Sequence, residues 1–227
     1  MRQSTNPTHV SLAVVLQIRD CALQALLWQR GREPFLGAWS LPGGYLERDE
    51  TLEQSILKHL AEKVDVREVA HLEQLETLSD PGRHPREWQI ATAYLGLVPT
   101  DVDPELPEDT AWHPVSRLPT LAFDHREITL AARERLRAKL SYTNVGFALA
   151  PGEFTISELR DLYAAALGHE ISATNLQRVL LRRGVIKSTG ERRASGRGGG
   201  RPASLFCFRT RRLEVTDEFA VLRPPSK

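Results

Sequence analysis

The chain has no apolar run that approaches the roughly 20 residues needed to span a bilayer. Its N-terminal apolar stretch, residues 12–16, is followed at once by Gln17 and Arg19, so it reads as a strand and not as a secretion signal. Cysteine is scarce: Cys21 and Cys207 lie far apart, which excludes a clustered metal-ligand or redox motif. Two buried thiols in a reducing cytoplasm are the expectation. No internal repeat is visible, and GRGGGRP at 196–202 is the only low-complexity tract. Net charge is nearly absent as well, at +1 over 227 residues. That balance hides an asymmetry. Residues 1–140 carry 16 Lys and Arg against 21 Asp and Glu, whereas residues 141–227 carry 14 against 8. An acidic body with a basic C-terminal third points to two parts with different partners.

The hydrophobic patterning supports the same division. Runs at 10–18 and 22–29 suggest a hairpin turning at Arg19-Asp20-Cys21. Residues 31–44 read as loop. A helix follows, with Thr51 and Gln54 spaced for a capping box and Leu52, Ile56, Leu57, Leu60 and Val64 on one stripe. Strands are expected at 71–78 and 88–98. The Pro- and acid-rich stretch 99–119 reads as loop, and a helix is expected at 126–140. Strands alternating with helices indicate an α/β sandwich. Residues 141–150 bridge to a second module. There Thr155 and Glu158 suit a capping box on a helix over 154–167, and Gly168 stops it. Ser172 caps a second helix expected to bury Leu176, Val179 and Leu180. Two β segments follow, which is the layout of a winged helix-turn-helix. The expected domains are 1–145 and 150–227.

Residues 44–66 carry the most specific signal. Gly44, Glu50 and the run Lys58-His59-Leu60-Ala61-Glu62-Lys63 resemble the Nudix signature, G-x5-E-x7-R-E-U-x-E-E-x-G-U, with U a bulky aliphatic residue. Nudix hydrolases cleave diphosphates with divalent metal help, and hard cations such as Mg²⁺ take carboxylate oxygens. Positions 59, 62 and 63 share a helix face. Three glutamates belong there, and this chain offers His59, Glu62 and Lys63. The damage points away from catalysis and towards sensing, with no catalytic and no metal-binding residues expected. A hydrolase using Glu47, Glu50 and Glu62 with a displaced metal is the rival reading.

The box, the stretches 30–53, DPGRHPRE, LAFDH and RLRAKL, and the basic winged helix together resemble the Nudix-related transcriptional regulators of NAD metabolism. The resemblance implies a Nudix-type α/β/α sandwich with a mixed sheet, plus a C-terminal winged helix-turn-helix domain. It implies a repressor of NAD biosynthesis or salvage genes that senses ADP-ribose or a related metabolite, with no further cofactor. Regulators of sugar utilisation are a related alternative. Without a metal, a diphosphate needs cations, and Arg grips phosphate by paired hydrogen bonds. Arg30, Arg83 and Arg86 are therefore candidate ligand residues, with Trp39 for stacking and Gly44 and Glu62 from the box. Asp124 reads as a helix cap.

From Arg178 to Arg212 stand eleven basic residues and one acid, Glu191. Thr174, Asn175, Gln177, Arg178 and Arg182 lie on the second helix of the module, where Asn and Gln suit adenine edges and Arg suits guanine. Arg192, Arg193, Arg197 and Arg201 stand among the wing glycines, which let backbone run close to phosphate. Double-stranded operator DNA is the expected macromolecular partner, and a palindromic operator implies that a homodimer binds it.

Overall fold

The apolar run 12–16 lies inside strand β1 (Thr8–Arg19), the spine of the larger sheet. The computed structural model describes residues 6–194 and 202–217. β1 turns into β2 (Ala22–Gln29) through Asp20-Cys21, both left-handed with φ of 50° and 57°. That is the two-residue hairpin geometry that matches strand twist. Cys21 at this tip is exposed and Cys207 is partly so, contrary to the expectation of two buried thiols.

The remaining strands are β3 (Trp39–Ser40), β4 (Gly43–Tyr45), β5 (His71–Leu78), β6 (Gln89–Leu97) and β7 (Thr110–Pro114). The sheet order is β3-β2-β1-β6-β5, with β4 added to β1 and β7 to β2. β1 and β6 are parallel over 8–16 and the other pairs are antiparallel, so the sheet is mixed. β7 lies within the stretch read as loop, and β3 and the first two residues of β4 lie within 31–44. Each is short, and pairing with β2 or β1 creates it where local propensity does not.

Both faces of β1 are covered, which explains its continuous apolar run. Helix α1 (Leu52–Val64) has the Thr51–Gln54 capping box and sets Ile56, Leu60 and Val64 against Ala13 and Val15. Helix α2 (His125–Tyr142) sets Ile128, Ala132 and Leu136 against Leu12, Val14 and Leu16 on the other face. This alternation gives the α/β/α sandwich.

The bridge is not an exposed linker. Residues 143–150 are buried, and Phe147 and Leu149 belong to a core that continues from the sandwich into the C-terminal module. That module comprises β8 (Phe154–Thr155), α3 (Ile156–Leu167), α4 (Ala173–Arg182), β9 (Ile186–Arg193) and β10 (Ala203–Phe208), with sheet order β8-β10-β9. Phe154 pairs with Phe206 as strand, so α3 begins two residues later than expected. The Thr155–Glu158 capping box and the left-handed Gly168 stop are both present. On α4 only Leu180 is fully buried, while Leu176 and Val179 are half-buried, because the helix leaves its outer face to solvent. No helix among the described residues is long and apolar enough to cross a membrane.

Candidate functional site

β1 changes partner along its length: residues 10–12 pair with β4 and residues 16–19 with β2. A cleft of about 380 Å³ opens between the diverging strands. Val10, Leu12 and Trp28 form an apolar floor, while Arg30, Arg32, Lys63 and Arg86 supply positive charge and Glu33 and Glu87 negative charge. Glu87 is engaged by Tyr45 Oη–H (2.9 Å) and Thr8 Oγ1–H (3.2 Å). Burial lowers the pKa of Arg30, and Arg32 beside it lowers it further. Lys63 is lowered by burial first and then by Arg32 and Arg30. These three cations repel one another in a partly dry site, which is a cost that an incoming anion relieves.

The aromatic side of the cleft is built on Phe123. Its ring stacks with His84 (centroids 5.3 Å apart), carries the Arg30 guanidinium at 4.7 Å and meets the edge of Phe35 at 4.8 Å. Phe35 and Phe123 both have positive φ, 67° and 54°, an unfavourable conformation for bulky residues that the surrounding packing must hold. The result is an Arg30 aimed by its ring contact and by donation from Nε to the Pro34 carbonyl (2.9 Å).

His125 closes the inner wall. Its Nδ1 accepts the Leu41 backbone N–H at 3.0 Å and lies 3.0 Å from Ser40 Oγ. The backbone N–H can only donate, so the ring proton sits on Nε2 and the ring is neutral. Burial, with Arg83 and Arg30 nearby, pushes its pKa down to about 3. The cleft wall thus holds a neutral N–H donor beside fixed cations.

The signature helix presents altered chemistry. Lys63 Nζ donates to the Gly43 carbonyl at 2.6 Å, and His59 Nε2 donates to the Tyr45 carbonyl at 3.1 Å. Burial lowers the His59 pKa. Gly44 is required here, since a Cβ would sit 2.5 Å from His59 Nε2. Lys58 reaches Glu50 at 2.7 Å and Glu47 at 3.2 Å, and its bond to Glu50 is the main cause of that carboxyl's low pKa of about 2. Asp65, where the signature has glycine, takes the left-handed conformation at φ 51°. Glu62 is exposed and does not line the cleft. A divalent cation wants several free carboxylate oxygens. This donor set does not fit one: an ammonium occupies the middle of the face, and two glutamates are held by Lys58.

Of the ligand candidates, Arg30, Gly44 and Arg86 stand in the cleft wall. Trp39, Glu62 and Arg83 do not. The Trp39 ring packs edge-on against His113 at 4.4 Å. Arg83 has a side chain only 3% exposed and gives two parallel hydrogen bonds to Asp124, Nε to Oδ2 at 3.0 Å and Nη2 to Oδ1 at 2.8 Å. The Asp124 carboxylate is therefore taken by Arg83 and makes no cap bond to α2. Arg32, Lys63, Phe123 and His125 enter the cleft unforeseen. The available hint was Arg-Gly-Arg at 30–32, two cations beside a flexible residue.

On the second module Thr174, Asn175, Arg178 and Arg182 are exposed along α4, and Gln177 is half-buried. Arg178 Nη2 donates to Asn175 Oδ1 at 2.8 Å, which aligns the two side chains one turn apart. Arg192 and Arg193 are exposed at the end of β9, and Arg193 pairs with Glu158 of α3. Arg197 and Arg201 lie outside the described residues.

Comparison with known proteins agrees with this geometry. Residues 8–132 match the NUDIX domain, and residues 146–208 match the NrtR DNA-binding winged helix domain. The ADPR responsive transcriptional repressor NtrR of Acinetobacter baylyi is 32% identical over 201 residues, covering 86% of this chain and 79% of that protein. The chain belongs to the NrtR family. The crystal structure of Shewanella oneidensis NrtR complexed with a 27mer DNA superposes with a TM-score of 0.74 at 36% identity, covering 88% of this chain and 93% of that one. The NUDIX domain of Shewanella oneidensis NrtR complexed with ADP ribose superposes with a TM-score of 0.53 at 36% identity, over 58% of this chain and 90% of that one. The NrtR arrangement, a Nudix domain with a mixed sheet followed by a winged helix, is the arrangement seen here.

Proposed function

We propose that the protein is a DNA-binding transcriptional repressor whose Nudix cleft binds ADP-ribose without cleaving it. The observation that carries this reading is the crowding of Arg30, Arg32 and Lys63 in one cleft, where burial and then Arg32 lower the pKa of Arg30, and burial and then both arginines lower that of Lys63. A diphosphate supplies the missing negative charge, and Arg forks hold its oxygens in pairs. Arg86 stands in the same wall, and the neutral His125 N–H suits a hydroxyl or carbonyl oxygen. The NrtR relatives responsive to, or crystallised with, ADP-ribose support the choice of ligand. Lys63 and the Lys58-bound glutamates support binding without metal-assisted hydrolysis. α4 enters a major groove with Asn175, Gln177, Arg178 and Arg182, and the Arg192–Arg193 wing lies on the adjacent backbone. A homodimer on a palindromic operator matches such a module, and NAD biosynthesis or salvage genes are the proposed targets.

The test is calorimetric titration with ADP-ribose in the presence of a chelator, followed by incubation with Mg²⁺ and analysis of the ligand. Saturable binding without metal, with ADP-ribose recovered intact, is the expected result. Turnover that needs Mg²⁺ and is lost in Glu62→Gln overturns the sensor reading in favour of a hydrolase.

A further inference from the structure

A single helix joins the cleft to the DNA-reading helix. α2 starts in the cleft wall, because His125 is its first residue and Asp124, gripped by Arg83, precedes it. Its 18 residues cover about 27 Å at 1.5 Å per residue. At its far end the Ser141 and Thr143 carbonyls accept hydrogen bonds from the Arg183 guanidinium, at 3.0 and 3.4 Å. Carbonyls at a helix C-terminus lack intrahelical partners and attract cations. Arg183 is also the C-cap of α4, where its own backbone N–H bonds the Val179 carbonyl at 3.0 Å.

The same guanidinium holds a third segment. Its Nε donates to Thr216 Oγ1 at 3.1 Å, and its Nη2 donates to the same oxygen. The Thr216 N–H returns to the Tyr142 carbonyl (2.9 Å), and Thr143 bridges to Val215. Asn144 fastens this strap by giving Nδ2–H to the Arg212 carbonyl and accepting the Glu214 N–H, at 2.8 and 2.7 Å. Packing at the junction leaves little slack. A Cβ on Gly146 would run into the Tyr163 hydroxyl, which is buried with no hydrogen-bond partner among the described residues. Any shift of the C-terminal end of α2 must therefore be carried by, or break, the Arg183 contacts. Meanwhile Arg183 is half-buried and bonded inward, unlike the exposed Thr174, Asn175, Arg178 and Arg182.

We propose that Arg183 is a positioning residue that transmits the state of the Nudix cleft to α4 by clamping the recognition helix to the end of α2. The inference rests on the reading of the cleft as an effector site. Coupling needs an element with differential contacts in two states, and this clamp is the contact through which α2 moves the reading helix.

The experiment compares full-length parent, Arg183→Ala, Arg183→Lys and Thr216→Val. Operator affinity is measured with and without saturating ADP-ribose, ADP-ribose affinity by calorimetry, and the salt dependence of DNA binding for each. In the parent, ligand is expected to weaken operator binding by a factor within the usual range of about 5–150. In Arg183→Ala that factor falls towards one, while ADP-ribose affinity is kept and the salt slope is unchanged. Loss of a phosphate contact would instead lower the slope by about 0.9. Arg183→Lys regains part of the coupling, and Thr216→Val loses part of it. Should Arg183→Ala fail to fold, the Lys and Val variants carry the test. Parental coupling in all variants, or a slope reduced with coupling intact, overturns the clamp and leaves the effector reading standing. ADP-ribose binding with no change in the parent's operator affinity overturns both.

Discussion

Arg83 and Asp124, 41 residues apart, face each other through two parallel hydrogen bonds of 2.8 and 3.0 Å. The arginine side chain is 3% exposed and the aspartate side chain 24%. This pair sets the position at which α2 begins and therefore where His125 meets the cleft. Gln89 adds a third bond to the arginine, at 3.1 Å. Arg83→Ala removes one partner of a mostly buried pair and should destabilise the chain by about 2–3 kcal/mol, the lower end for buried pairs because Asp124 is partly wetted. Urea unfolding measures this. A change within a few tenths of a kcal/mol would mean that the pair is not structural.

The cleft cations should act on ligand and not on the fold. Arg30→Ala or Lys63→Ala each removes a charge-assisted partner, expected to cost about 1.5–3 kcal/mol, or roughly 10–150-fold in ADP-ribose affinity. Thermal stability without ligand should stay level or rise, since the remaining cations repel less. Calorimetry and melting curves on the same preparations check both halves. Unaltered affinity in both variants would remove the diphosphate from this cleft.

His125 gives the pH dependence. Its ordinary value of 6.5 falls to about 3 in the fold. Between those values the unfolded chain binds more protons than the folded one, so stability rises with pH there. The contribution is complete above about 6.5 and is lost as pH falls towards 3. The slope for one such proton is at most about 1.36 kcal/mol per pH unit. His125→Asn should flatten the stability profile between pH 6.5 and 4.5. Below that range Glu50 and Glu73 also lose stability, their folded values both being about 2. Glu73 is held there against its own burial by His71 and Lys139. Parallel profiles for parent and variant would show that the ring is not kept neutral.

On the DNA side two kinds of effect should separate. Arg192→Ala with Arg193→Ala should weaken binding to every duplex and reduce the log–log salt slope by about 0.9 per lost phosphate contact. Asn175→Ala should relax base preference, at about 1–3 kcal/mol for a lost bidentate contact, and free Arg178 from its tie. Competition binding across salt concentrations distinguishes them. A variant of Asn175 that leaves base preference intact would place base reading elsewhere on α4.

The parts of this protein that are legible in its sequence are those decided within one or two helical turns. Thr51 with Gln54 and Thr155 with Glu158 start their helices because the caps lie three residues from what they bond. Ile56, Leu60 and Val64 of the α1 stripe are buried as their periodicity predicts, whereas Leu57, expected on the same stripe, faces solvent. Lys58, His59 and Lys63 announced an altered Nudix face because those three positions lie within two turns of one helix. What the tertiary structure decided is the fate of groups whose partners are remote in sequence. Three arginines looked equivalent on paper. Arg30 and Arg86 reached the cleft, whereas Arg83 was taken by Asp124. Lys63 became a cleft cation only because Gly43, 20 residues earlier, passes over it. β7 exists because β2 offers a free edge, and the 143–150 bridge is buried because the two modules share one core. Hydrogen bonds and ion pairs act over a few ångströms, so a side chain's role is set by whatever the fold brings within that distance.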